Sequence, residues 1–566
     1  MKKKKKRLSA DEKRDRKIKS DHTKMIRSVF KDAGFLRHSD LNDKTFTYQG
    51  QMTDFDDICT YENILVCIEF TTTKSENIGG HLKTKKIVYD KIQKKESDFT
   101  DFLCEKSPKL KEALLNKYTS AEVVVKIVYC SLKTVESRHK DNIPNPTYLD
   151  YSDLRYFRNL TDCIKKSARH EFLHFMNVSP EKIGENGKFE TESALGKYSG
   201  SLLPESSSNF DKGFKVVSFY IDPSALLRRA YVLRKDGWRD SYNMYQRMIS
   251  KTKITSIRSY LKENKRVFVN NIIVTLPEDT KIIDGKNNTV DPSRISKTQP
   301  VTILLPQKVN SVGLIDGQHR TYSYFESTTD DIEIERLRIK QNLLVTGIIY
   351  PEGIHNVEKE KFEARLFLEI NSNQTNAKSD LKQAIGLMLN PFSSESLAAR
   401  VLTDLDKSSG PLGNQVQRYW FDKDKIKTTS IVSYGLKPLV KPTGKDSLFY
   451  IWTNKDKEKM VEEENHELLT NYVAHCVVTI NSILFAFKSN FPSKQWTYHK
   501  DVPDRILTTT NINAFLICLR LLISNNKPVD EATLLLKLKG IDKFDMDSYH
   551  SSQYARMAEA IYQKHA

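Results

Sequence analysis

Hydrophobic and polar positions divide the chain into two mixed regions and a helical one. After a charged opening without apolar periodicity, Met25–Phe35 has the spacing of a helix. Phe46–Ile58 and Asn63–Thr72 have strand character, with a turn near Tyr61–Asn63. A basic helix is predicted over His81–Lys95, and the β-branched run Ala121–Ser131 is expected to be a buried strand. Pro144 and Pro146 mark a linker, 150–178 holds one or two helices, and Gly184–Asn209 is a polar Gly/Ser-rich separator. Strands are then predicted over Phe214–Ile221, Val267–Leu276, Val301–Leu305, Asn342–Tyr350 and Ala364–Asn371. A helix is predicted over Ser241–Asn264, and Leu314 and Ile315 lead into a turn followed by a helix from about Thr321. From about 377 the pattern is mainly helical, with breaks near Gly410–Gly413 and Pro438–Gly444. No internal repeat is visible.

The resulting expectation is a multidomain α/β chain. A basic disordered arm occupies 1–24, an α/β domain 25–135, a helical linker 136–210, a second α+β domain 211–390 and a helical extension 391–566.

Composition narrows the function classes. At 566 residues and 39% hydrophobic, the chain can build several cores. No stretch is read as a bilayer-spanning run of ~20 apolar residues, and no apolar segment follows the basic N-terminus as a secretory signal requires. The expectation is a bacterial cytoplasmic protein without a membrane partner. Seven scattered cysteines without a CxxC pair fit buried thiols in a reducing compartment. The formal net charge of +18 favours a polyanionic partner, because Lys and Arg release counterions from phosphates.

Three strings suggest chemistry. In SVGLIDGQHRTYSYF (311–325), an apolar run ends at Asp316-Gly317. Gly317 permits a positive φ, and His319 and Arg320 add donors suited to an anion. The alternative is an ordinary strand–turn–helix with structural charges. The string resembles the motif of the DGQHR-domain family, which includes DndB-like regulators of DNA phosphorothioation, within the ParB/sulfiredoxin-like superfamily. Three further segments resemble that family in the same order: 218–233, 245–276 and 365–381. The resemblance implies binding of ATP or another nucleotide by Asp316, Gly317, Gln318, His319 and Arg320, with Asn371 and Gln374 as additions. Gln318 replaces the sulfiredoxin Cys, so thiol redox chemistry is not expected. Asn371, Asn373, Gln374 and Thr375 suit base or ribose contacts, or ordinary turn chemistry.

The segment 50–74, GQMTDFDDICTYENILVCIEFTTTK, resembles the core of PD-(D/E)xK nucleases, giving a restriction-endonuclease-like first domain. Asp56 and Glu69 on adjacent strands could share Mg2+ and activate water for DNA cleavage. The expected Lys position holds Thr71, a departure from the pattern; Lys74, or Lys83, Lys85 or Lys86 on the next helix, could supply the positive charge from elsewhere. Asp32 is the nearby acid on the first helix. The alternatives are an inactive relative that binds DNA and an unrelated α/β domain.

Finally, His170-Glu171-Phe172-Leu173-His174 matches the HExxH pattern of zinc proteases, with Glu190 or Glu192 as a third ligand. An amphipathic helix packing Phe172 and Leu173 inward explains the string more simply. In the helical region, Tyr419, Trp420, Trp452 and Trp496 are read as core aromatics rather than base-stacking groups. The combined expectation is a DNA-associated protein of the modification or defence type, with an oligomer and other such proteins as its expected partners. It is an ATPase, a metal-dependent endonuclease, or both; a non-enzymatic DNA-binding regulator is the alternative.

Overall fold

The computed structural model describes residues 9–73, 75–184, 195–234, 238–239, 246–327, 331–372, 389–417, 425–499, 501–550 and 552–565. The chain divides into two compact units, Met1–Asn376 and Ala377–Ala566. The first is mixed α/β with several sheets, and the second is helical where described.

Helix α1 spans Ala10–Asp32 and begins well before the predicted Met25. Ser9 caps it: its hydroxyl accepts from Glu12 N–H, and the Glu12 carboxylate accepts from Ser9 N–H. The described part of the expected arm is therefore helical. Its residues 12–21 are exposed, whereas Ile26, Val29 and Phe30 pack inward.

The first sheet contains β1 (Leu36–Arg37), β4 (Asp57–Tyr61), β5 (Ile64–Thr71), β6 (Val124–Ser131) and β7 (Thr147–Asp150), in that order. β4 and β5 are antiparallel, while β5–β6 and β6–β7 are parallel. Period-2 alternation gives each face its own core. Ile64, Val66 and Ile68 point to the side shared with α1, and Leu65 and Cys67 to the opposite core. On that second side, helix α2 (Ser75–Lys94) contributes Ile78, Leu82, Val88 and Tyr89. β7 carries the sheet past the expected boundary at 135 and begins directly after Pro144 and Pro146.

The predicted strand Phe46–Ile58 is three strands. A hairpin of β2 (Phe46–Tyr48) and β3 (Gln51–Thr53) turns at Gln49 (φ 46°) and Gly50 (φ 79°), before β4 starts at Asp57. Positive φ at both central residues belongs to the turn that matches strand twist in a two-residue hairpin.

The second sheet has eight strands: β10 (Ala230–Tyr231), β14 (Val312–Asp316), β11 (Ile272–Leu276), β15 (Leu343–Ile349), β9 (Lys215–Ile221), β8 (Leu195–Leu202), β13 (Gln299–Pro306) and β12 (Lys281–Ile283). β8 lies within the expected polar separator. Its small residues fit between two neighbours: a Cβ at Gly200 would meet Ser218 O at 2.4 Å. The predicted strand Ala364–Asn371 is part of a helix, Asn356–Ser372. Its short apolar run resembles a strand, but Glu363, Ala364 and Phe367 are buried at helical spacing. The helix predicted from Ser241 starts at Lys251, where the Ser250 hydroxyl accepts from Lys253 N–H; residues 246–250 are not helical.

In the second unit, helices His466–Asn490 and Thr509–Ser524 supply much of the core. The former is long and apolar enough to cross a membrane by length and composition alone, although no run of that kind was read in the sequence. It buries Tyr472, Cys476, Ile480, Ile483 and Phe487. Trp452 and Trp496 are core residues, the latter donating to Pro411 O at 2.9 Å. Tyr419 and Trp420 lie outside the described residues. All seven cysteines are free and buried.

Candidate functional site

The first sheet and α2 create a polar cluster around Glu69. Glu69 follows Leu65 and Cys67 on the α2-facing side and is 4% exposed. Burial pushes its carboxyl up to about 8, against the downward pull of Lys85 and with a further upward push from Asp56. Lys85 reaches back from α2 and places Nζ 2.7 Å from Glu69 Oε1 and 2.8 Å from Asp54 Oδ1. His81 lies one turn earlier on α2, and its Nδ1 is 2.9 Å from Tyr129 OH on β6. Asp56 Oδ2 accepts Phe70 N–H at 2.6 Å, which ties the start of β4 to β5. Burial raises the Asp56 pKa, and the Phe70 hydrogen bond opposes the rise.

The expected carboxylates Asp56 and Glu69 therefore lie near each other, and Lys85 pairs with Glu69 and Asp54. Thr71 is buried, its hydroxyl accepting Thr73 N–H at 3.1 Å. Lys74 lies outside the described residues. Lys86 pairs instead with Asp90 at 2.7 Å, and Asp32 with Arg158 and Lys165. The neighbouring Asp57 is structural: Arg27, Arg37 and Asn42 all donate to it.

Asp56 and Glu69 would hold a divalent cation. The donor set is two carboxyl groups, the oxygen donors that a hard ion takes. Among the described residues, no group of three or more His, Cys, Asp or Glu converges. Two carboxylates completed by water suit Mg2+ better than a closed zinc cage.

In the DGQHR segment, β14 ends at Asp316, Gly317 adopts φ 96°, and a short helix covers Gln318–Tyr322. The helix starts earlier than the predicted Thr321. Arg320 is paired with Asp316 at 2.7 Å. His319 Nε2 accepts Ser250 N–H at 3.1 Å. Burial, helped by Lys253, pushes His319 down to about 4, so the ring is neutral. Gln318 donates to Arg247 O at 3.3 Å. Gln318 Oε1 and Thr321 Oγ1 are buried without a hydrogen-bond partner among the described residues. Asn371 is helical and donates to Phe367 O at 2.8 Å. Asn373, Gln374 and Thr375 lie outside the described residues.

The HExxH string forms the helix Arg169–Phe175. Glu171 is held by Arg234 and Tyr156. His174 Nδ1 lies 2.9 Å from an Arg239 nitrogen. His170 is 8% exposed, and burial lowers it to about 3. Phe172 and Leu173 pack inward. Glu190 and Glu192 lie outside the described residues.

Sequence reading did not identify a second polar constellation. Glu363 Oε1 accepts from Tyr231 OH and Thr275 Oγ1 at 2.6 Å each, and from Tyr350 OH at 2.7 Å. These residues lie on four separate elements, so no local string reports their meeting. Compared with family models, curated proteins and solved structures, the chain matches none.

Proposed function

We propose that the chain is a DNA-associated protein of the modification or defence type that cleaves DNA with a divalent cation held by Asp56 and Glu69. The observation carrying this reading is Lys85 Nζ 2.7 Å from Glu69 Oε1. It supplies from α2 the positive charge that the strand lacks at Thr71. The order α1, the first-sheet strands β1, β4 and β5 with β4 and β5 antiparallel, α2, then β6 parallel to β5 supports the nuclease-like reading of this region.

A cation there supplies Lewis-acid polarisation of a phosphate and a nucleophile at neutral pH. The chain's own residues do the rest. Lys85 places an ammonium where charge builds on the phosphate. Asp56 is fixed by the Phe70 amide, and the apolar core behind Glu69 limits water on that side. The exposed stretch of α1 carries Lys13, Arg14, Arg16, Lys17 and Lys19, which suit backbone contacts to DNA.

The DGQHR segment is the nucleotide site in this proposal, with ATP as the first candidate. Buried Gln318 Oε1 and Thr321 Oγ1 supply acceptors for a base or ribose donor. Arg320 would leave Asp316 to meet a phosphate. Nucleotide binding then favours one conformation of the protein and thereby regulates its action on DNA.

The test is plasmid cleavage with Mg2+ or Mn2+, with and without ATP. Loss of cutting in Glu69→Ala with DNA binding retained supports the reading. Salt-sensitive DNA binding without cutting by the wild type, under every metal and nucleotide condition, favours a DNA-binding regulator instead.

A further inference from the structure

The Glu363 constellation forms part of the wall of a cavity of about 460 Å³ in the first unit. This volume lies within the ~300–1,000 Å³ range of small-molecule sites. Tyr231, Tyr350 and Glu363 supply one set of lining groups, while His174, Arg239 and Lys359 supply another. Asn310 and Ser311, just before β14, also line it. The DGQHR turn is at the other end of that strand, about 17 Å away at ~3.3 Å per residue.

The hydrogen bonds specify what the tyrosines present. Both phenols give their protons to Glu363 Oε1. Burial and the carboxylate push both phenol pKa values upward, so these protons stay bound. Their oxygens retain lone pairs and act toward a ligand as acceptors. That wall therefore reads an N–H or O–H donor. Arg239 and Lys359 offer two cations to an anion, with Glu360 lining the same cavity. Arg239 stacks on Trp238 and contacts His174 Nδ1, while Lys359 is 3.9 Å from Glu278 and 5.5 Å from the centre of the Tyr350 ring.

The architecture has made room for this cluster. A Cβ at Gly313 would lie 2.3 Å from Thr275 Oγ1, 2.6 Å from Glu363 Oε1 and 2.9 Å from Tyr231 OH. Glu363 is 1% exposed, yet its carboxylate is served by hydroxyls from three strands or strand ends.

We propose that this cavity binds a small phosphate ester of up to nucleoside-monophosphate size. Hydroxyl or amino groups of the ligand donate to Tyr231 and Tyr350, and its phosphate meets Arg239 and Lys359. This site is separate from the DGQHR turn and does not depend on the cleavage reading.

The experiment is calorimetric titration of the full chain with ribose 5-phosphate and the four ribonucleoside 5′-monophosphates, using inorganic phosphate and adenosine as controls. At least one ester is expected to bind more tightly than about 1 mM. The Arg239→Ala/Lys359→Ala variant should weaken it at least about tenfold, through loss of charge-assisted contacts. Asp316→Ala should leave it unchanged. Binding of none of the five esters, binding that survives in the double variant, or binding lost in Asp316→Ala would overturn the proposal. Inorganic phosphate binding as tightly as every ester would remove the role of the tyrosines and also overturn it. Circular dichroism of each variant confirms that a loss of binding is not a loss of fold.

Discussion

Replacing Gly313 with alanine asks whether the buried carboxylate cluster is as tightly assembled as its distances state. The added Cβ would sit under 3.0 Å from three polar atoms on three different residues: Thr275 Oγ1, Glu363 Oε1 and Tyr231 OH. Thr275 lies directly opposite in β11, so backbone adjustment would disturb the β11–β14 pairing. Overpacking of this kind costs about 1–3 kcal/mol. Displacing a hydroxyl from Glu363 adds about 1–3 kcal/mol if a buried partner is left unsatisfied. The expected destabilisation is therefore about 2–6 kcal/mol. It should appear as a lower urea midpoint for the transition of the first unit, followed by limited proteolysis. Gly285→Ala is the control, because no atom lies within 4 Å of a Cβ there. Thr275→Ala should relieve part of the clash, so the double variant should lose less than the sum of the single changes. A Gly313→Ala protein within about 0.5 kcal/mol of wild type, the usual range for harmless surface changes, would refute this reasoning.

Lys85→Ala should lower DNA cleavage by about 10²- to 10³-fold, the scale for losing one preorganised charge-stabilising donor, with DNA binding retained in a filter assay. Adding Thr71→Lys to that variant should restore part of the rate, because residue 71 shares Glu69's strand face. Acid should weaken the first unit. Burial lowers His170 from 6.5 to about 3 and His319 from 6.5 to about 4. Histidines whose pKa falls on folding contribute fully above about pH 6.5 and lose that contribution as pH drops toward the folded values, at up to about 1.4 kcal/mol per unit for each. Denaturation between pH 7 and 4 should show this slope, and His170→Gln should flatten it by about one proton. Replacing Lys13, Arg14 and Lys17 with glutamine should reduce the slope of log affinity for DNA against log salt by up to about 3.

Local patterning made much of the first unit legible. The alternation in β5 placed Glu69 on one face, and the turn after β14 was marked by Gly317. Errors arose where tertiary context decided the outcome. The apolar run before Asn371 is too short to distinguish strand from helix, and only its packing around Glu363 makes the helical period visible. The small polar residues of β8 read as a separator because their burial depends on β9 and β13. Within the candidate nuclease site, sequence placed the two carboxylates but offered several lysines; the geometry of α2 brings Lys85 to Glu69, while Lys74 lies outside the described residues. The cluster of Tyr231, Thr275, Tyr350 and Glu363 left no local signal, because its members are far apart in the chain and meet only in the folded sheet. Gly313 was the one residue that could have hinted at a close approach.

The most direct measurement is cleavage of supercoiled plasmid by wild type and by Asp56→Ala, Glu69→Ala and Lys85→Ala, each with Mg2+, Mn2+ or excess chelator. The account predicts nicked or linear DNA only for wild type with a divalent cation, with the carboxylate variants inactive and Lys85→Ala strongly slowed. Cutting that persists in both carboxylate variants, or a wild type that binds DNA and never cuts it, would contradict the proposed role of this site.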